Sequence, residues 1–191
     1  MTGETEPLDA VLAEYAMRYD THYRQMMMGK LGLAPGDEEE DQRLLEGLQQ
    51  LLLCRETDMT LFFRHLALVS SRCSAEAAAE ILAEALYDSA PYADQLGPWL
   101  DEWQARLRQD GIEDAPRRVA MDAVNPLYVP RNYLLHEVIE QTAPGRTEAL
   151  DECLDVFRNP YTAQPGRERW AEKRPEWARH KAGCSMLSCS S

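Results

Sequence analysis

Positively charged residues are scarce in this sequence. It has 20 Lys and Arg against 33 Asp and Glu, which gives a formal net charge of −13. Because a phosphate backbone attracts Lys and Arg, this balance argues against binding to nucleic acid or to anionic membrane surfaces. A local basic cluster lies near the C-terminal end, and we interpret it as a solvated segment that offsets the acidic body of the chain. Its members are Arg167, Arg169, Lys173, Arg174, Arg179 and Lys181.

The sequence also lacks an apolar run of the roughly 20 residues that a membrane-spanning helix needs. Its first ten residues, MTGETEPLDA, are acidic and do not form the apolar region of a secretory signal. The cysteines are odd in number and show no paired spacing, which predicts mostly free thiols in a reducing, cytoplasmic environment. They are Cys54, Cys73, Cys153, Cys184 and Cys189.

The usual catalytic and nucleotide-binding motifs are missing as well: GxGxxG, GxxxxGK[ST], HExxH and GxSxG do not occur. The four histidines, His22, His65, His136 and His180, share no ligand spacing. His180 with Cys184 and Cys189 could supply three zinc ligands, but structural zinc sites normally use four at tighter spacing. We therefore predict no catalytic residue, no metal site and no cofactor held by this chain alone.

Hydrophobic periodicity predicts an all-α fold. Tyr15, Tyr19, Tyr23 and Met27 recur every four residues, with Leu8, Leu12 and Met26 on or beside the same face, and this spacing predicts a helix over 8–31 with its aromatic residues in the core. Periodicity, caps and breakers predict the other helices. The second helix begins at the acidic run Asp37–Asp41, and the third begins after a cap at Thr57 or Asp58. The remaining helices cover 75–87, Pro91 to Gly111, 114–123, 131–142 and 147–158.

The predicted organisation is a leader (1–7), a helical domain (8–160) and an irregular C-terminal segment (161–191). The acidic run Asp37–Asp41 is favoured at a helix N-terminus by the exposed amides and the helix dipole, and we interpret it as a solvated first turn rather than a metal site. Leu44, Leu45, Leu48, Leu51 and Leu52 supply the buried stripe of the same helix.

Two polar segments repeat the same chemistry. In the first, Asn125 precedes a proline, and two prolines fix extended backbone before Arg131 and Asn132 open a helix. In the second, Arg158 and Asn159 lie at the exit of the last helix pair. The planar guanidinium of Arg131 is suited to pin a carboxylate or a carbonyl at the end of a helix. We interpret both segments as structural latches that join helices; direct ligand contact is the alternative.

The C-terminal eight residues, CSMLSCSS from Cys184 to Ser191, contain too few apolar side chains to bury themselves. Thiols on such a tail are expected to be reachable by reagents and by other cysteines.

Several of these segments resemble, in the same order, the C-terminal part of the selenoprotein O family, the pseudokinase-like protein adenylyltransferases. A looser resemblance covers the first and third helices, so that the similarity spans about residues 12–191. The close matches are Asn125-Pro-x-Tyr-Val-Pro-Arg-Asn-Tyr-Leu134, Arg158-Asn-Pro-Tyr161, Arg174-Pro-x-Trp177 and Ser188-Cys-Ser-Ser191; the looser ones are YRQMMMGKLGL (23–33) and DMTLFFRHL (58–66).

The resemblance implies that the whole protein has a protein-kinase-like fold that binds ATP with magnesium or manganese and transfers AMP to hydroxyl side chains of protein substrates. It also implies that Cys189 stands where the family has its redox cysteine or selenocysteine, with Cys184 as a candidate resolving thiol. The family's nucleotide- and metal-binding residues lie upstream of what is present here. The chain would therefore be an inactive C-terminal helical region whose partner is the missing kinase-like half.

A rival interpretation is a free-standing helical module that binds a protein partner through aromatic and acidic surfaces, with Cys189 incidental.

Overall fold

The computed structural model describes residues 6–88, 90–143, 145–182 and 184. Eight α-helices occur within these residues, together with short 3-10 helices at Ala83–Ala85, Glu168–Ala171 and Glu176–Ala178. The described residues form no sheet, although an isolated bridge pairs Thr57 with Leu86, so the all-α prediction is confirmed. The helices are α1 (Glu6–Lys30), α2 (Glu38–Leu53), α3 (Met59–Leu66), α4 (Ala75–Leu82), α5 (Ala93–Gln109), α6 (Asp114–Val124), α7 (Asn132–Thr142) and α8 (Glu148–Arg158).

Side-chain caps fix the starts of three helices. Asp37 accepts hydrogen bonds from the backbone N–H groups of Glu39 and Glu40, at 3.0 and 3.2 Å. Asp58, one of the two predicted caps, accepts from Leu61 N–H at 3.0 Å, and Ser74 accepts from Ala77 N–H at 3.3 Å. Each cap satisfies amides that the helix itself leaves unpaired, which is why these starts are readable from the sequence.

The larger of two apolar cores lies among the C-terminal end of α1 and helices α2 to α6. At its centre, Trp99 and Trp103 stack with ring centroids 5.9 Å apart. Their indole N–H groups donate to the carbonyls of Leu44 and Leu31, at 3.1 and 3.0 Å. Because both polar ends are paired, these large rings can be buried without an unsatisfied donor. The predicted leucine stripe of α2 is buried at Leu44, Leu45, Leu48 and Leu51 and half-buried at Leu52.

A second core packs α7 and α8 against the C-terminal segment. We call this segment the strap; it comprises residues 168–182 and Cys184. Trp170 is fully buried there, with Phe157 edge-on to its ring at 5.8 Å. Its indole N–H donates to Glu152 Oε1 at 3.1 Å. The strap is largely irregular, yet it supplies part of the apolar interior.

The structure corrects the interpretation of α1. Its helix is present, but of the residues predicted on its apolar face only Met27 is buried. The described residues leave this face uncovered because the first core contacts only the C-terminal end of the helix, where Met27, Met28 and Leu31 are buried. The exposed members are Leu8 (60%), Leu12 (56%), Tyr15 (66%), Tyr19 (56%), Tyr23 (44%) and Met26 (53%).

The acidic run at the start of α2 is also corrected, because Asp41 is fully buried rather than solvated. Its carboxylate accepts from Gly36 N–H at 2.9 Å and from Arg106 Nη1 at 3.1 Å. Arg24 Nη1 lies 3.4 Å away. A buried carboxylate needs such partners to offset the loss of its hydration, and here they tie α1, α2 and α5 together.

Candidate functional site

The polar groups of interest meet where the two cores join. This junction is formed by the chain before and within α3, the end of α6, the start of α7 and the strap. It contains the first predicted latch segment and several residues whose role the sequence did not reveal.

Arg131 precedes α7 and makes the most buried ion pair of the junction. Its Nη2 donates to both carboxylate oxygens of Asp58 at 3.0 Å, and its Nε donates to Oδ2 at 3.2 Å. The two side chains are only 10% and 7% exposed. Since Asp58 also caps α3, one carboxylate fixes the start of α3 and holds the start of α7 beside it.

Asn125 connects the end of α6 with the end of α1. Its side chain is 1% exposed, and its Nδ2 donates to the carbonyl of Lys30 at 3.0 Å. The ammonium of Lys30 lies 4.6 Å from the centre of the Phe63 ring, and burial lowers the pKa of that ammonium. Asn125 therefore binds backbone across 95 residues of sequence.

Arg64 in α3 binds three backbone carbonyls, those of Asp122, Asn125 and Tyr161, at 3.2, 3.2 and 3.3 Å. Its Nη1 also lies 3.1 Å from Asp122 Oδ1. A guanidinium carries several donors in one plane, so it can close the C-terminal end of α6 and hold the chain after α8 at the same time.

The other predicted latch residues lie on the surface. Asn132 is exposed in the first turn of α7, and Arg158 is 70% exposed and pairs with Asp155 of its own helix at 2.5 Å. Asn159 is exposed at the end of α8, where its carbonyl accepts from Gln164 Nε2 at 3.1 Å.

The two predicted latch segments nevertheless meet, through main-chain atoms. The carbonyl of Pro160 accepts from the N–H groups of Leu127 and Tyr128, at 2.7 and 3.1 Å. The contact between the segments thus depends on backbone rather than on the Arg158 and Asn159 side chains.

Glu56 attaches the strap to the first core. Its two carboxylate oxygens accept separately from Arg174 Nη2 and Arg179 Nη2, each at 2.5 Å. Desolvation alone would raise the pKa of the Glu56 carboxyl, but the hydrogen bonds and charges of the two arginines hold it below its ordinary value.

Tyr87 lies beneath cationic side chains of the strap. The Arg174 guanidinium lies 4.9 Å and the Lys173 ammonium 5.2 Å from the centre of its ring, and its hydroxyl accepts from Arg174 N–H at 3.2 Å. Burial, followed by the nearby charge of Asp58, raises the pKa of Tyr87. The ring thus contributes both a cation–π surface and a hydrogen-bond acceptor.

Two more hydrogen bonds hold the strap. Lys173 Nζ donates to the carbonyl of Leu86 at 2.5 Å, and Tyr133 Oη donates to the carbonyl of Glu172 at 2.9 Å. Burial is the main cause that raises the pKa of Tyr133 to about 12, so its hydroxyl stays a donor through neutral pH.

The Cys184 thiol was expected on a reachable tail, but the structure places it in the interior. Cys184 is 5% exposed in the second core, because the strap before it is packed and hydrogen-bonded rather than free. Cys153 is buried in the same core, and burial raises the pKa of its thiol. Cys54, Cys73, Cys153 and Cys184 are all free thiols in the described part of the chain. Cys189, the predicted redox residue, lies outside the described residues.

The described side chains contain no group of three or more His, Cys, Asp and Glu that could hold a metal ion. Among the described helices, not one combines the length and the apolar character needed to cross a lipid bilayer.

Much of the junction is formed by residues that no sequence pattern assigned to it: Glu56, Asp58, Arg64 and Tyr87. One signal was available for Arg64, which sits between the buried residues Phe63 and Leu66 of an apolar helix. A cation in such a position needs anions or carbonyls from another element. Glu56 and Tyr87 carried no comparable signal, since their partners are more than 80 residues away.

Comparison with known proteins decides the family. The family model described as "Protein adenylyltransferase SelO" matches residues 2–158. The chain belongs to the SelO family.

Curated relatives in this family carry the name "Protein nucleotidyltransferase YdiU". The relative from Rhodopirellula baltica is 45% identical over 205 residues, covering 100% of this chain and 38% of the relative. Those from Aromatoleum aromaticum and Xanthomonas campestris pv. campestris (strain 8004) are each 44% identical, covering 99% of this chain and 36% of each relative. The chain spans less than two fifths of these relatives, in agreement with the predicted correspondence to a C-terminal part of the family.

Chemically, the junction is a set of structural ion pairs and capped carbonyls. Its carboxylates are already paired with arginines, and its arginines are bound to carboxylates and backbone oxygens. This arrangement is suited to holding the two apolar cores and the strap in one fixed geometry.

Proposed function

We propose that this chain is the helical supporting region of a SelO-type protein adenylyltransferase in the cytoplasm. The AMP-transfer site, with ATP and magnesium or manganese, belongs to the kinase-like part that the chain does not contain. The observation that carries the proposal is the match itself: nearly all of this chain aligns with little more than a third of each relative.

The second part of the proposal is a redox role for Cys189, which stands where the family resemblance places a redox cysteine or selenocysteine. Glu56, Tyr87 and Tyr133 hold the strap, and Cys184 is buried in the second core. Cys189 comes five residues after Cys184 in the sequence, so the length of the intervening chain limits how far apart the two residues can be. With a disulfide oxidant such as oxidised glutathione, Cys189 and a partner thiol lose two electrons and two protons and form one disulfide, while the oxidant becomes two thiols.

The activity is tested with ATP labelled at its α-phosphate, in magnesium and in manganese. The chain alone should incorporate no label into itself or into added protein. The chain joined to the unmatched part of the R. baltica relative, in the order of the intact protein, should incorporate label. Incorporation by the chain alone would contradict the proposal, and so would its absence from a folded joined protein.

The redox role is tested in the same joined protein. Cys189→Ser should remove the response of AMP incorporation to oxidised glutathione and leave activity under reducing conditions unchanged. Cys54→Ser is the matched control, because Cys54 is an exposed thiol elsewhere on the surface; it should behave as the wild type. Equal responses of wild type and Cys189→Ser to oxidant would refute the redox role.

The rival hypothesis is a free-standing binding module. It predicts that the chain folds alone, binds an unrelated protein, and does not affect AMP incorporation when it is joined to the kinase-like part. The labelled-ATP experiment separates the two.

A further inference from the structure

One side of α1 is left uncovered by the described residues. Its members, which we call the aromatic face, are each 44–66% exposed. They are Leu8, Val11, Leu12, Tyr15, Tyr19, Tyr23 and Met26.

The aromatic face carries no Asp, Glu, Lys or Arg, and His22 lies among its members. At about 100° per residue its members fall within an arc of about 120°. The charged side chains between residues 8 and 26 fall outside this arc; they are Asp9, Glu14, Arg18, Asp20 and Arg24. An uncharged stripe of this width is the pattern of a helix that buries one side against another element.

Three tyrosines give the face a fixed shape. Tyr15 and Tyr19 stack with ring centroids 6.3 Å apart and planes inclined by 26°, and Tyr19 and Tyr23 stack at 6.1 Å and 13°. Because neighbouring rings restrict one another, little side-chain entropy remains to be lost when a partner covers them. Tyrosine is also among the residues enriched in the buried centres of protein interfaces.

The helix itself needs a cover. Its first four turns project beyond the first core, which is contacted by Met27, Met28 and Leu31 at the other end. An isolated helical segment of about 12–15 residues is only marginally stable in water. Exposed contiguous apolar surface of this kind marks an interaction site in soluble proteins.

We propose that the aromatic face of α1 is the docking surface for the part of the family polypeptide that this chain does not contain. This inference rests on the proposed function. More than three fifths of each curated relative lies outside the matched region, so a large folded partner is available within one family polypeptide. A second copy of this chain is a poorer occupant, because two bodies of net charge −13 repel one another.

The test compares amide hydrogen exchange of residues 8–26 in the chain alone and in the chain joined to the unmatched part of the R. baltica relative. Docking should slow exchange in this segment at least tenfold in the joined protein. Tyr19→Lys should restore most of the fast exchange. Met17→Lys should not, since Met17 is 65% exposed on the opposite side of the same helix.

Circular dichroism of both variants checks that the two cores remain folded, which is expected because neither side chain is part of a core. The intact R. baltica relative gives an independent measurement: its segment aligned with 8–26 should be protected to the same degree. Equal exchange in the free chain and in both longer proteins would overturn the proposal. A Tyr19-dependent dimer of the chain alone by sedimentation, without protection in the longer proteins, would overturn it too.

The same samples, assayed for AMP incorporation, separate this inference from the proposed function. AMP incorporation without protection of α1 from hydrogen exchange would refute the docking surface and support the proposed function. Protection of α1 without AMP incorporation would support the docking surface and refute the proposed function.

Discussion

At the residue scale, Arg131 and Asp58 carry opposite charges that are almost entirely removed from water. Removing both charges and replacing them with apolar groups can be close to neutral, whereas removing one leaves the other buried without a partner. Removing only one partner of this pair should therefore lower the free energy of unfolding by a measurable amount.

Arg131→Met should lower the free energy of unfolding by about 3 kcal/mol, because it leaves the Asp58 carboxylate buried and unpaired. Arg158→Met is the matched control from the second latch segment; its side chain is 70% exposed, and the change should stay below about 0.5 kcal/mol. Urea denaturation followed by circular dichroism measures both. Equal losses for the two variants would show that burial of the Arg131 pair has no energetic consequence.

At the element scale, the strap is an irregular segment held by side-chain contacts rather than by its own regular hydrogen bonding. Trp170 and Cys184 anchor it inside the second core, and Glu56 anchors it to the first. Such a segment can open locally while the helices stay folded.

Glu56→Gln should increase the opening of the strap and hence the labelling of Cys184 by N-ethylmaleimide at pH 7.5. Glu56 is 42% exposed, so solvent screening limits each of its two ion pairs to about 1 kcal/mol at most, and we expect an increase of roughly tenfold. Glu176→Gln is the control, since Glu176 is 78% exposed and pairs with Arg179 within the strap itself. Mass spectrometry of the labelled peptide gives the rates; equal rates in wild type and Glu56→Gln would contradict this role of Glu56.

The same variant makes a prediction about pH. The folded pKa of Glu56 is lower than its ordinary value of 4.5, so its contribution to stability is present above pH 4.5 and is lost as the pH falls through the lowered folded pKa. The wild type should therefore be more stable than Glu56→Gln at pH 6, and the difference should disappear in stronger acid. Urea titrations followed by tryptophan fluorescence from pH 6 to 3 measure it. A difference that stays constant over this range would mean that the Glu56 charge is not its source.

At the scale of the whole molecule, two apolar cores behave as one body only if the junction couples them. Arg64 contributes to this coupling, since it binds the end of α6 and the chain after α8 together.

Arg64→Met should loosen the second core more than the first. The loss of charged hydrogen bonds to backbone carbonyls corresponds to about 2 kcal/mol, or roughly 30-fold faster hydrogen exchange by local opening in α7 and α8. Exchange in α4 and α5 should change little. Arg118→Met is the control, because Arg118 is 58% exposed and lies 3.9 Å from the same Asp122. A uniform increase over both cores would show that they unfold together and that Arg64 contributes only to global stability.

The sequence by itself determined the secondary structure, the family and much of the first core. Local signals were sufficient: caps such as Asp37 and Ser74 and the leucine stripe of α2 act over a few residues. The sequence indicated that Arg131 could bind a carboxylate, but it did not indicate which one, because the partner Asp58 lies 73 residues away.

Only the tertiary structure decided which polar and apolar groups lie inside. Asp41 is buried because Arg106 and Arg24 approach it from other helices, although its neighbours in the acidic run suggested a solvated turn. Cys184 is buried because the strap packs on α7 and α8. The tyrosines of α1 are exposed because the described part of the chain does not cover them. Periodicity shows that a helix has an apolar side, but the element that covers that side is fixed by packing between distant segments.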